Sequence, residues 1–264
     1  MNYKNIILAL LLIIIPNSTI FAENLEQKGK KIAIEAEKKD SGWGDNKSTS
    51  KMILKNKHGQ ESIRELSRNV LEVNEEGLGD KSIVVFDSPN DIKGTALLSH
   101  TKILKPDDQW LYLPAVKRVK RISSSNKSGP FVGSEFAYED LLSQEIDKYN
   151  YKFIKEEKYG NLNCFVVERY PLYENSGYTK QVVWWDKLEY RPQKIDFYDR
   201  KDSLLKTLTY IDYKQYLGKY WRADKFKMVN HQNGKSTDLI FSSWEFGLGQ
   251  KKNEFTPSRL KRAI

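Results

Sequence analysis

The chain has 264 residues, 44 Lys and Arg against 35 Asp and Glu, a net charge of +9 and one cysteine. A lone cysteine excludes an internal disulfide scaffold, so a buried core must supply the stability, and no Pro/Ser/Gly-rich linker divides the length. The basic balance favours an anionic partner, whether phospholipid headgroup, nucleic acid or acidic protein, without choosing among them.

At the N-terminus, Lys4 precedes an unbroken apolar run, Ile6–Ile15, which Pro16 stops and Asn17-Ser18-Thr19 follows, with Ala22 before Glu23. This pattern predicts a signal peptide over residues 1–22, because the run is shorter than the roughly 20 apolar residues of a spanning helix. No cysteine lies near the expected cleavage point, which excludes lipid attachment there. Export argues against nucleic acid as a partner, and one domain is expected over residues 23–264.

Glu23–Asp40 sets Leu25, Ile32, Ala33 and Ala36 at near-helical spacing among charges and ends at Ser41-Gly42-Trp43-Gly44. One amphipathic helix is predicted there. Strand-like runs follow on both sides of His58-Gly59, then in "KSIVVFDSP", "GTALLSHTKIL", "WLYLPAVKRVKRI" and "YKFIKEEKYGNLNCFVVERYP", the last folded at Gly160-Asn161. "KQVVWWDKLEYRPQKIDFYD", "LLKTLTYIDYKQYLGKYWRADKFKMVN" and "KSTDLIFSSWEF" continue the pattern. About eleven strands at regular spacing predict a mainly β fold, a barrel or a sandwich.

Where alternation is clean it assigns faces. Ile195 and Phe197 oppose Lys194, Asp196 and Tyr198; Phe226 and Met228 oppose Lys225 and Lys227; Leu111 and Leu113 oppose Trp110 and Tyr112. The six apolar residues Leu111, Leu113, Ile195, Phe197, Phe226 and Met228 are the candidate lining of a hydrophobic cavity. In "IVVF" and "VVWW" both faces are apolar and orientation stays open.

Beyond Val116 the alternation fails: Lys117, Arg118, Lys120 and Arg121 fall on both faces, which places them at a rim where the strand leaves the core. Phe131 and Val132 then return an apolar patch to the mouth as a gate. Ser134–Leu142 reads as a short lid helix with Ser134 as N-cap and Phe136 on its dry side. The alternative is that these cations pair with Glu135, Glu139 and Asp140 as ordinary surface charges.

Catalytic motifs are missing from the sequence. It holds no G-x-S-x-G, H-E-x-x-H, C-x-x-C or phosphate loop, and its three histidines are scattered. Glycine pairs such as Gly77-Leu78-Gly79 lack the third glycine and the strand-to-helix context of a dinucleotide site. No enzymatic role, no cofactor and no metal is expected.

The stretch "DDQWLYLPAVKRVKRISSSNKSGPFVGSEFAYEDL" resembles the signature of the bacterial outer-membrane lipoprotein-sorting protein family, relatives of the LolA and LolB carriers: a W-x-Y-x-P strand, a run of cations, a Ser/Gly loop and G-S-x-F-x-Y-E-D. "QKIDFYDRKDSLLKTLTY", "GKYWRADKFKMVN", "KSTDLIF" and "NEFTPSRL" fit the same pattern, so the likeness spans almost the whole chain after residue 22. "KYWRADKF" departs from it, since members commonly carry a proline before that second strand. The resemblance implies an incomplete antiparallel barrel wrapped over helices, with a cavity that shields acyl chains of a lipid or lipoprotein in the periplasm. It also implies transient contact with a membrane surface, an inner-membrane transporter of the resistance-nodulation-division (RND) type and an outer-membrane acceptor. The rival reading is an accessory protein of such a transporter that carries no cargo; a weaker one is a hydrolase with an unrecognised site.

Overall fold

A computed structural model describes residues 18–261, so the apolar run Ile6–Ile15 and most of the expected signal peptide lie outside the described residues. Helix α1 (Ser18–Lys39) begins five residues before the expected start at Glu23. The first strand series is β1 (Asp45–Lys55), β2 (Glu61–Leu71), β3 (Leu78–Ser88), β4 (Ala96–Lys102), β5 (Asp108–Leu113) and β6 (Arg118–Ile122). The second is β7 (Tyr149–Tyr159), β8 (Leu162–Pro171), β9 (Lys180–Asp186), β10 (Pro192–Tyr198), β11 (Leu204–Tyr216), β12 (Tyr220–Asn230) and β13 (Ser236–Phe246), before helix α2 (Pro257–Leu260).

All thirteen strands form one antiparallel sheet in the order β6-β5-β4-β3-β2-β1-β13-β12-β11-β10-β9-β8-β7. Strands next to each other in sequence therefore pair, except β6 and β7, and β13 returns to β1. The sheet is a barrel left open between β6 and β7, the unclosed architecture expected, with thirteen strands where about eleven were anticipated.

One miscounted element explains the abrupt change after Val116. Pro114–Val116 makes a 3-10 turn and Lys117 takes a left-handed conformation (φ 51°), which reverses the chain. Residues 118–122 then run back along β5, with Val119 opposite Tyr112 and Ile122 opposite Gln109. The cations thus sit on a hairpin's returning strand, at a free edge, rather than on a strand that has left the sheet. Charge there discourages another chain from adding to the exposed ladder.

Between the two edges, residues 123–148 cross the gap as 3-10 turns, at Ser124–Asn126, Phe131–Gly133, Tyr138–Leu141 and Ile146–Lys148. No α-helix forms over Ser134–Leu142, because local hydrogen bonds compete with it. Ser134 Oγ donates to the Phe131 carbonyl (2.8 Å), and the Phe131 amide donates to the Phe136 carbonyl (2.7 Å).

The inner face carries the main core. Met52, Leu66, Phe86, Leu97, Val167, Val183, Ile195, Phe197, Leu208 and Met228 meet Ile32 and Ala33 of α1 and Phe131 and Phe136 of the crossing segment. The doubly apolar runs now resolve: Val84, Phe86, Val183 and Trp185 point inward, and Ile83, Val85, Val182 and Trp184 outward. The outer face of β3–β5 is dry because the C-terminal tail lies on it. Phe255 and Leu260 are fully buried there, and His100 Nε2 meets the Phe255 carbonyl at 2.8 Å.

Candidate functional site: a cavity between helix α1 and the sheet

Two structures share the concave face. Over β2–β5 the crossing segment plugs it, with Phe131 stacked on Phe86 at 5.5 Å between ring centroids. Between helix α1, strands β8–β12, parts of β2 and β3 and the end of the crossing segment lies a cavity of about 1030 Å³. Its floor is apolar and aromatic, with Trp185, Ile195, Phe197, Leu208, Tyr210 and Phe226. Exposed Lys39, Asp40 and Lys219 stand around its mouth at the C-terminal end of α1.

That division sorts the expected lining residues. Ile195, Phe197 and Phe226 line the cavity, whereas Met228 is enclosed in the core with no exposure. Leu111 packs against the core beneath the crossing segment, and half-buried Leu113 lies outside the cavity wall as well. The expected gate is displaced for the same reason. Phe131 and Phe136 are buried plug residues (1% and 3% exposed), and half-buried Val132, with φ 47°, accepts a hydrogen bond from Arg64 at its carbonyl.

Lys117, Arg118, Lys120 and Arg121 are exposed on the β5–β6 hairpin and do not line the cavity. Arg121 pairs with Asp108, not with Glu135, Glu139 or Asp140. Those three acids are engaged elsewhere. Asp140 accepts from Lys206 Nζ (2.7 Å), Tyr178 Oη (2.8 Å) and the Ala137 amide (2.7 Å). Glu139 accepts from the Gly177 amide (2.8 Å), Ser176 Oγ (2.9 Å) and Tyr173 Oη (3.1 Å). Glu135 accepts from Asn230 Nδ2 at 2.7 Å.

The wall is more polar than the alternation implied. Arg68 of β2, Arg169 of β8 and Gln181 of β9 face it in phase with apolar neighbours: Leu66 and Val70, Val167, and Val183 respectively. A long cation at an inward position was the legible signal for this, and clean apolar alternation drew attention away from it. Glu145 also lines the cavity, and burial, helped by Asp80 and Glu37, pushes its carboxyl up to about 7. Among the described residues no cluster of three or more His, Cys, Asp or Glu side chains is placed to hold a metal ion, and no helix is long and apolar enough to cross a membrane.

Residues 79–262 match a family model described as an uncharacterized protein. An outer membrane lipoprotein-sorting protein domain from Vibrio parahaemolyticus is 56% identical, superposes with a TM-score of 0.87, and is matched over 90% of this chain and 100% of its own. The chain belongs to the outer membrane lipoprotein-sorting protein family. A DUF1329 family protein from Desulfovibrio piger is a more distant likeness within this fold, 28% identical with a TM-score of 0.84 over 89% of this chain and 99% of its own. The LolA superfamily protein NE2245 from Nitrosomonas europaea, 21% identical with a TM-score of 0.65, covers 89% of this chain and 97% of its own and shows the shared fold. A search of curated proteins matched none of them.

Proposed function

We propose that this lipoprotein-sorting family member is an exported, periplasmic carrier that shields the acyl chains of a lipid or lipoprotein between α1 and the sheet on their way to the outer membrane. The observation that carries this reading is the cavity of about 1030 Å³ with its floor of Trp185, Ile195, Phe197, Leu208, Tyr210 and Phe226. Such a volume is at the upper end of the roughly 300–1,000 Å³ of small-molecule sites. Each methylene taken from water gains about 0.8 kcal/mol, similar to what a bilayer offers, so transfer is nearly balanced and partners decide its direction.

Cleavage after Ala22 would leave α1 starting at Glu23. The exposed cations Lys117, Arg118 and Lys120 would touch an anionic membrane surface during loading or delivery, and an RND-type transporter and an outer-membrane acceptor would stand at the two ends. The family relationship supports a carrier over an enzyme.

Ala36 of α1 lines the cavity, and Ala36→Trp fills it from the helix side without touching the sheet core. Excluding even two methylenes of a chain weakens its binding about tenfold. Titration with a fluorescent fatty acyl probe is expected to show that loss while the β circular-dichroism signal persists. Equal uptake by both proteins would refute the cavity as the cargo site, and no uptake by either would favour the accessory protein.

A further inference from the structure

Arg169 differs from the buried lysines of the described residues. Lys148 meets Asp107, Lys206 meets Asp140, and Lys127 reaches the Asp107 carbonyl. Arg169, 6% exposed, has neither a carboxylate nor a backbone carbonyl as partner. Its Nε donates to the side-chain oxygen of buried Gln181, and its guanidinium lies 5.2 Å from the Tyr149 ring centroid. Neither Nη1 nor Nη2 has a hydrogen-bond partner among the described residues, and the side chain lines the cavity.

The surroundings extend this vacancy in hydrogen bonding. Tyr151 and Tyr210 line the same cavity, and no partner for either hydroxyl occurs among the described residues. Burial pushes the Tyr210 hydroxyl up to about 12 and that of Tyr151 higher still, so both keep their protons and can donate. The nearby acids Glu139 and Asp140 are occupied by the bonds described above. A buried charge without a counter-ion is unfavourable, and a guanidinium with both terminal nitrogens free matches the fork of a carboxylate or phosphate.

We propose that Arg169, oriented by Gln181 and flanked by the hydroxyls of Tyr151 and Tyr210, binds the anionic headgroup of the carried lipid inside the cavity. The cargo is then an acyl chain that bears an oxyanion. This deepens the carrier reading and rests on it. It also separates two roles of positive charge, with Arg169 selecting cargo and the exposed cations of β6 meeting membrane.

The test is competition against the fluorescent acyl probe with four compounds: oleyl alcohol, oleate, oleoyl lysophosphatidate and inorganic phosphate. The wild-type protein is expected to prefer the anionic chains over oleyl alcohol by about tenfold to a hundredfold, the range for hydrogen bonds to a charged group. Arg169→Met should bring that ratio close to one, and the Tyr151→Phe/Tyr210→Phe double variant should lower it while keeping the cation. Whichever of oleate and lysophosphatidate is preferred names the headgroup as carboxylate or phosphate. An unchanged ratio in both variants, or no anionic preference in the wild type, overturns the headgroup site while leaving the carrier standing. Displacement by inorganic phosphate as effective as by lysophosphatidate overturns the lipid source in favour of a free anion. If no chain binds, oleyl alcohol included, the carrier reading fails with it.

Discussion

Lys206 and Asp140 form an ion pair almost sealed from water, with side chains 4% and 5% exposed and 2.7 Å between Nζ and Oδ2. Lys206 Nζ also donates to the Glu135 carbonyl at 2.8 Å, so β11 holds the crossing segment at two points. Removing one member of such a pair leaves the other charge buried alone, which costs about 3–5 kcal/mol. Lys206→Met should therefore lower the unfolding free energy by that amount, seen as a lower urea midpoint with an unchanged slope; a loss below about 1 kcal/mol would show that the clasp is wet. These side chains follow one rule in the sequence. Lys206 precedes Leu208, Arg169 follows Val167, and Arg68 lies between Leu66 and Val70, each in phase with buried apolar residues. Alternation could place them inward, but whether an inward cation is paired or free depends on segments distant in sequence. That is why Ile195, Phe197 and Phe226 were legible as cavity residues and Arg169 was not.

At the scale of elements, the seat of α1 depends on one glycine. A Cβ on Gly29 would stand 2.8 Å from the Phe153 amide nitrogen and 2.9 Å from Lys152 backbone atoms of β7. Gly29→Ala should push the helix off the sheet at a cost of about 1–3 kcal/mol for overpacking, seen as faster hydrogen exchange in α1; unchanged exchange would contradict this close approach. The short turn at Ile146–Lys148 beneath α1 carries a pH dependence. Glu145 titrates near 7 against a reference of 4.5, raised by burial, then Asp80 and Glu37, with Lys148 opposing and Asp107 adding. The folded protein thus keeps a proton that the unfolded chain releases, so stability falls as pH rises between those values, by at most about 1.4 kcal/mol per pH unit from this group. Glu145→Gln should flatten that slope in chemical denaturation at pH 5, 6 and 7, and an equally steep variant would assign the effect to Glu37 and Asp80, which are raised in the same direction. Strand β6 offers the converse case, charge that folding does not need. Changing Lys117, Arg118 and Lys120 to Gln should weaken docking on phosphatidylglycerol vesicles at low salt, where each cation contributes at most about 1 kcal/mol, and leave the denaturation midpoint nearly unmoved, whereas Arg121 is kept for its pair with Asp108. Wild-type docking by that variant would remove the membrane-contact role.

For the whole molecule, the local hairpins were legible: His58-Gly59 and Gly160-Asn161 turn the chain where expected, and the sheet follows sequence order except where it breaks between β6 and β7 and where β13 closes on β1. The crossing segment was the opaque part. Ser134–Leu142 has helix-like composition, yet Phe136, with Phe131 just before that stretch, is worth more in the core than on a lid, and the concave surface they cover is formed by strands from elsewhere in the chain. The same non-locality hid the dry outer face of β3–β5, which is explained only by a tail more than a hundred residues further along the chain. Plug and helix together divide one concave face into a filled half and an empty half, and the central claim is that the empty half holds a lipid chain. Native mass spectrometry of the protein, purified without detergent beside Ala36→Trp, tests it most directly. The account predicts a lipid adduct on the wild type, released as an acyl-bearing anion on activation and diminished in the variant; a wild type that stays free of adduct even after incubation with anionic lipid vesicles would contradict it.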